Sequence, residues 1–149
     1  MKMMVFHIGR ERFALPLASV VRVLPVARLK ALPGAPDFVR GLLDLHGEAL
    51  PVIDVSSLAG TPPDAVRYDT RILLVDVQSR GRTRRLGLKC ERVAGVAVVD
   101  GPLLDAGVAC APWLGQVAPD THGMLQLVDP ARLLAPDVEA LLFGTGDAT

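Results

Sequence analysis

Cysteine is nearly absent: Cys90 and Cys110 are the only two among 149 residues. Two thiols are too few for a disulfide framework, and their wide separation is not the close pair of a zinc knuckle. Both are expected to be reduced, packed thiols, since a free cysteine behaves as a small buried hydrophobe. Aromatic residues make up 4% of the chain, and none lies between Tyr68 and Trp113. Long apolar runs are missing too. Nothing approaches the ~18 residues of a membrane-spanning helix, and residues 1–5 run into His7, Arg10, Glu11 and Arg12 rather than the apolar stretch of a secretory signal. The expectation is a cytoplasmic protein with no direct membrane insertion. The nucleotide cradles G-x-x-x-x-G-K-[ST] and G-x-G-x-x-G are absent, and so is the G-x-S-x-G of a nucleophile elbow. His7, His46 and His122 stand in no triad context with Ser19, Ser56, Ser57 or Ser79. No catalytic residue and no cofactor are expected.

What is present is apolar and rich in turns. Half of the residues are hydrophobic and the mean hydropathy is +0.38, which excludes a disordered chain. A protein of this size buries about two thirds of the surface its unfolded chain exposes, enough for one domain or two small lobes sharing a core. Residues 1–143 are expected to form a single domain, and residues 144–149 a frayed tail. The 14 glycines and 12 prolines make about 17% of the chain, against about 12% on average, so many short elements are expected. The 16 basic and 16 acidic residues cancel, yet they are unevenly spread. Residues 1–40 carry seven basic and two acidic side chains, residues 41–90 seven and six, and residues 91–149 two and eight. A fold that turned the two ends apart would have a basic and an acidic side, as suits a molecule with two protein partners.

The apolar runs are short, β-branched and punctuated by turn signals. Strands are expected over residues 3–8 and 13–17, joined by Gly9-Arg10-Glu11-Arg12, and the valine-rich stretch 18–23 reads as extended before Pro25. Asp37 is placed to start one helical turn over residues 37–40. Residues 41–55 read as strand, turn at His46-Gly47-Glu48, strand, and residues 56–69 as a surface loop. Further strands are expected over 71–77, 84–90, 93–99 and 124–128, with 102–119 loop-rich around a Trp113 core plug. A turn of helix at 130–134 and a C-terminal helix over 136–143 close the chain. Roughly eight to ten short strands without βαβ alternation make an all-β protein with minor helix, a sandwich or barrel.

Two polar clusters invite a chemical reading. Asp44, His46, Glu48 and Asp54 would serve as metal ligands if alternation put 44, 46 and 48 on one strand face. Gly47 argues instead for a hairpin tip that breaks the alternation, so no metal site is expected. Arg80-Gly81-Arg82-Thr83-Arg84-Arg85 is the one dense basic run. A nucleic-acid-binding β-barrel would use it, but such a surface wants aromatics among its cations, and this run has none. A solvated hairpin tip is favoured, with no nucleic acid as partner. Val20, Val23, Val96 and Val98 are too many for the interior of one small barrel, and an apolar groove between two lobes would use them.

The middle of the chain carries a more specific pattern. It runs Ala35-Pro36-Asp37-Phe38-Val39-Arg40-Gly41, then Asp44-Leu45-His46-Gly47, then Leu50-Pro51-Val52-Ile53-Asp54-Val55. The opening Phe6-His7-Ile8-Gly9, followed by Phe13-Ala14-Leu15-Pro16-Leu17 and Val20, keeps the same layout, as do Arg71-Ile72-Leu73-Leu74-Val75 and Val128-Asp129-Pro130. Over about residues 3–143 the chain resembles the CheW family of chemotaxis coupling proteins. The resemblance implies two intertwined small SH3-like five-stranded barrels sharing a hydrophobic core. It also implies a non-catalytic adaptor that couples chemoreceptors to a CheA-type histidine kinase in a chemosensory array. One surface would take the kinase's regulatory domain, and a more apolar groove the cytoplasmic tip of the receptor.

Carried over by position, the resemblance puts Val20 in the receptor groove, with Arg22, Val23 and Val98 as further partner-binding candidates. Gly41 and Gly47 fall near the kinase-facing region, Gly47 free to take φ > 0 at the hairpin tip and Gly41 to admit a close strand approach. His46 completes the partner-binding set. Two positions depart from the family pattern. Arg22 stands where the family commonly has glutamate, and His46 where its N-L-R-G segment has arginine. An acidic–basic pair is thus replaced by two groups that cannot attract when both are charged. The change is either the matched loss of a structural pair or a retuned partner surface.

Overall fold

The computed structural model describes residues 1–105, 111–120 and 123–143; Cys110, His122 and the tail 144–149 lie outside the described residues. Alternating apolar residues and a Gly9 turn build the first hairpin, β1 (Lys2–Ile8) with β2 (Glu11–Pro16), in register from Met3↔Pro16 to Ile8↔Glu11. A 3-10 turn, Leu17–Ser19, leads into β3 (Val20–Pro25). The second hairpin is β4 (Val39–Leu45) with β5 (Glu48–Asp54). The short helix α1 (Val55–Leu58) follows, its N-terminus capped by Asp54, whose Oδ1 accepts from the Ser57 amide at 3.2 Å. The third hairpin joins β6 (Arg71–Ser79) to β7 (Arg82–Val98). Then come β8 (Leu114–Asp120), β9 (Gly123–Val128), a 3-10 turn at Pro130–Arg132 and the helix α2 (Pro136–Phe143).

Three expectations change. Residues 37–40 form no helical turn: the Val39 amide donates to the Pro36 carbonyl at 2.9 Å in a tight turn, and Val39 and Arg40 already belong to β4. Pairing with β5 outweighs the local helix-start signal. The strands expected at 84–90 and 93–99 are one 17-residue strand, β7. It bends where its partner changes: two extra residues bulge out between the pairs His7↔Glu91 and Val5↔Gly95, and Arg92 (φ 47°) and Gly95 (φ 93°) absorb the kink. Finally, the loops expected at 56–69 and 102–119 give up residues to α1 and β8.

β7 is shared by two groups of strands. Its first half lies between β6 and β5 in the order β3-β6-β7-β5-β4, and its second half continues β7-β1-β2-β9-β8. The protein is therefore mostly β with two subdomains that own one long strand in common. The largest apolar cluster lies where they meet: Met4, Phe6 and Ile8 of β1 join Leu73, Val75 and Val77 of β6, Leu86 and Leu88 of β7, and the buried Trp113. Alternate residues face the other way. Met3 and Val5 pack with Ala14, Ala118, Leu125 and Leu127, while Ile72 and Leu74 pack with Leu43, Leu50 and Val52. Both faces of β1 and β6 are thus covered, and each fully buried aliphatic contributes about 1.5–3 kcal/mol. Cys90 is a free, buried thiol, and burial, aided by the charges of Asp54 and Glu91, pushes it well above the ordinary thiol range.

The kink in β7 is held by polar groups, of which Glu91 and Ser56 are buried. Glu91 Oε2 accepts from the Ser56 hydroxyl and from the Asp64 amide, each at 3.0 Å. Arg92 reaches Asp64 Oδ2 at 3.2 Å and donates to the Gly9 carbonyl. The Arg67 side chain, with the Ala65 amide, holds the Asp64 carboxyl below its ordinary range. The loop before β6 is pinned to the bend in this way.

Candidate partner-binding surfaces

β3 lies at the end of its strand order, laddered to β6 alone. Val20 stands opposite Val75 and Val23 opposite Leu73, both members of the cluster between the subdomains. Directly opposed residues share a face, so Val20 and Val23 lie on the face that carries that cluster. Val20 is half-buried against it, whereas Val21 and Val23 are 43% and 44% exposed. On β7, Val96 stands opposite Met4, another member of the cluster, and Val98 lies two residues on, opposite Lys2. These two valines are 51% and 63% exposed. The two rims flank one end of β1: Ala97, Met3 and Pro16 form a cross-strand row, and the 3-10 turn after Pro16 leads directly to Val20. Val20 thus carries the inter-subdomain core toward solvent, and the exposed Val23, Val96 and Val98 lie on the strand faces that bear it, with Lys2 beside Val98; Arg22, opposite Leu74, lies on the other face of β3.

The other predicted residues lie apart, on the β4–β5 hairpin. The ladder passes from Val39↔Ile53 to Gly41↔Val52 and leaves Arg40 as a bulge. Gly41 is buried at φ 137°, a backbone conformation that disfavours any side chain. Beside it the chain leaving β3 returns: Lys30 and Leu42 exchange two backbone hydrogen bonds of 2.9 and 2.8 Å. A Cβ at position 41 would overlap the Lys30 carbonyl oxygen. Gly41 therefore serves the fold by close approach, as expected, and presents no side chain to a partner. At the tip, Leu45↔Glu48 closes around His46 (φ 52°) and Gly47 (φ 86°). Two left-handed residues in succession give the twisted two-residue turn that suits a hairpin, so the turn is one residue shorter than expected. Asp44 Oδ1 accepts from the Gly47 amide at 2.9 Å and fixes that turn. Arg22, Leu74, Gly87, Val52 and Gly41 make one cross-strand row, so the ladders set Arg22 level with Gly41 while His46 lies beyond the end of β4.

Neither polar cluster is assembled for chemistry. Asp44 is committed to the Gly47 amide, and Asp54 caps α1 with Arg40 and Lys89 each 3.9 Å from its Oδ2. Among the described residues, no group of three or more His, Cys, Asp or Glu is placed to hold a metal ion. In the basic run, Arg80 (φ 53°) and Gly81 (φ 79°) turn the β6–β7 hairpin as His46 and Gly47 turn the other. Arg85 pairs with Asp76 at 3.5 Å, and the Arg84 guanidinium lies 5.9 Å from the Phe143 ring centre, docking the end of α2.

The family profile described as CheW-like domain matches residues 2–141. This chain belongs to the CheW-like family of chemotaxis coupling proteins. CheW-like membership carries a non-catalytic role. Protein PilI of Pseudomonas aeruginosa is 32% identical over 71 residues, covering 48% of this chain and 40% of PilI. Chemotaxis protein CheW of Helicobacter pylori is 29% identical over 70 residues, 47% of this chain and 42% of that protein. The matched region thus spans about two fifths of the length of each of these two relatives. The crystal structure of the scaffolding protein TtCheW from Thermoanaerobacter tengcongensis has the same fold, with a TM-score of 0.81 at 23% identity over 92% of this chain and 89% of that one. No helix among the described residues is long and apolar enough to cross a membrane.

Two residues that shape the CheW-like fold escaped the sequence reading. Lys30 lies in a stretch with no strand pattern, yet its carbonyl is what Gly41 must clear. Gly87 makes room at the centre of β7: a Cβ there would lie 2.9 Å from Val52 Cγ2 and 3.1 Å from Ile72 Cγ2. A glycine inside the apolar Leu86-Gly87-Leu88 run was the available signal, because glycine in a strand interior marks a close approach.

Proposed function

We propose that this protein is the adaptor of a chemosensory array, coupling the cytoplasmic tip of chemoreceptors to a CheA-type histidine kinase on the cytoplasmic side of the membrane. The observation that carries the reading is the valine seam: Val20, packed on the inter-subdomain core, and Val23, Val96 and Val98, which no described residue covers fully. A receptor's helical hairpin would lay its apolar stripe along that seam, reading Val20, Val23 and Val98, with Arg22 on the opposite face of β3. The β4–β5 hairpin, with Gly41, His46 and Gly47, is the surface for the kinase's regulatory domain. Support for that half is the backbone: the bulge and the left-handed tip give the hairpin one rigid shape to present. Each strand group is read as a small SH3-like barrel. The Lys30–Leu42 bridge, which ties the chain leaving β3 to β4, supports this for one group, and the Leu104–Val117 bridge on β8 for the other.

Val23 is the residue to test, because Val20 packs against the core and its loss would confound folding with binding. Burying a valine fully is worth about 1.5–3 kcal/mol, so Val23→Asp is expected to weaken capture of a receptor-tip fragment by more than tenfold. Binding of the kinase regulatory domain and the unfolding midpoint should stay as in the parent. Parental binding of the receptor tip by Val23→Asp would refute the seam as its seat. Capture of neither protein, together with salt-dependent RNA binding, would move the function to the Arg80–Arg85 hairpin.

A further inference from the structure

We infer that Arg92 is a positioning residue for the valine seam: by clamping Asp64 to the Gly9 turn it fixes the angle between the two strand groups, and so the width of the seam. The inference rests on the proposed receptor-binding role of the seam. The two rims belong to different groups. Val20 and Val23 ride on β3 beside β6, and Val96 and Val98 on the half of β7 that pairs with β1. Between those halves β7 changes partners. The β6 ladder ends at Arg71↔Cys90, and the β1 ladder steps from His7↔Glu91 to Val5↔Gly95. Among the described residues no ladder pairs residues 92–94, and Gly95 (φ 93°) stands directly before Val96.

Arg92 spans that unladdered join. Its guanidinium holds Asp64 Oδ2 at 3.2 Å, on the loop that enters β6, and donates to the Gly9 carbonyl at the turn between β1 and β2. The Arg92 carbonyl accepts from His7 Nδ1 of β1 at 2.9 Å, while the next amide, Val93, donates to the Asp69 carbonyl at 2.9 Å. Asp64 is anchored in turn, by Arg67 at 3.1 Å and through its own amide on the buried Glu91. The backbone singles out Arg92 as well. It holds φ 47°, in the left-handed region that side chains resist, whereas the same bend uses glycine for the positive φ at 95. Such an outlier persists where its surroundings hold it, and it points to a demand beyond folding. Here the demand is for the guanidinium, which glycine would not supply. A helix that touches both rims at once binds best when their spacing is already set, because ordering them on binding would be subtracted from affinity. The Arg92–Asp64 pair is partly exposed, so it adds little to global stability and its effect falls on the angle.

Residual dipolar couplings of the full chain read that angle, and Arg92→Gly separates side chain from backbone because glycine keeps φ 47° without strain. In the parent, couplings from β3, β4, β5 and β6 and those from β1, β2, β8 and β9 are expected to fit one alignment frame with the fold as it stands. Arg92→Gly should break that common fit and weaken calorimetric binding of a purified receptor-tip fragment about fivefold. Binding of the kinase's regulatory domain and the unfolding midpoint should stay close to the parent. Asp64→Asn should reproduce the effect, and adding it to Arg92→Gly should weaken the fragment no further. Arg92→Lys, which keeps a cation beside Asp64, should recover part of the binding. An unbroken fit in Arg92→Gly, or a broken fit with parental fragment affinity, would overturn the positioning role and leave the seam standing. A matched loss of kinase-domain binding and of the unfolding midpoint would make Arg92 a structural residue only, and would overturn it too. Parental fragment affinity in Val23→Asp would refute the seam itself, and the positioning role with it.

Discussion

The β4–β5 hairpin and the valine seam obey opposite rules. On the hairpin the backbone dictates the residue. Gly41 is there because a carbonyl passes where its side chain would be, and Gly47 because the turn needs φ > 0. On the seam no glycine and no positive φ selects the residue. Val23, Val96 and Val98 sit in paired strand positions, and folding leaves each of them between 44% and 63% exposed. A residue that the fold explains says little about partners. A residue that the fold leaves unexplained, such as these exposed valines, is where partner recognition is to be sought.

The sharpest way to break this contrast is to put a side chain where the hairpin forbids one. Gly41→Val would overlap the Lys30 carbonyl and strain a left-handed backbone, and should destabilise the protein by about 2–4 kcal/mol in denaturant titration. Loss of the Lys30–Leu42 amide protection in hydrogen exchange should accompany it. Near-parental stability with intact protection would show that the chain leaving β3 is free to move away, and the hairpin would then be less constrained than its geometry implies. Gly87→Ala comes next. Its Cβ crowds Val52 and Ile72 in a packed interior, which is expected to destabilise by about 1–3 kcal/mol. Adding Val52→Ala should recover part of that loss, although Val52→Ala alone destabilises. Simple additivity of the two changes would argue against a direct clash.

The same contrast explains how much was legible in the sequence. Strands β1, β4 and β5 and the helix α2 follow from period and punctuation, because the signals that start and stop them are local. The continuity of β7 is not local. Glu91 and Arg92 read as a break, and only pairing with two different partners keeps one strand running through them. The helical turn expected at Asp37 failed for the same reason, since β5 claims Val39 and Gly41 on either side of the Arg40 bulge. At the candidate site, a tight tip at Gly47 was readable from the His-Gly step, and the need for glycine at 41 in kind. That Lys30 is its neighbour was not, because the contact closes across a loop with no pattern of its own. The face of Arg22 was equally hidden: only the β3–β6 ladder sets it opposite Leu74, away from Val23.

The smallest expected effect divides shape from chemistry at the hairpin tip. His46 holds φ 52° with its side chain exposed, and a non-glycine residue in that conformation is tolerated rather than preferred. Asparagine suits the first position of this turn better, so His46→Asn should raise stability by a few tenths of a kcal/mol, about 0.5 at most. If the tip recognises the kinase's regulatory domain by its shape, that affinity should stay within about twofold of the parent. A tenfold loss with stability preserved would show that the imidazole itself makes the contact. His46 would then join Val23 among the residues that the fold does not require, and the line between the hairpin and the seam would have to be drawn through the tip rather than around it.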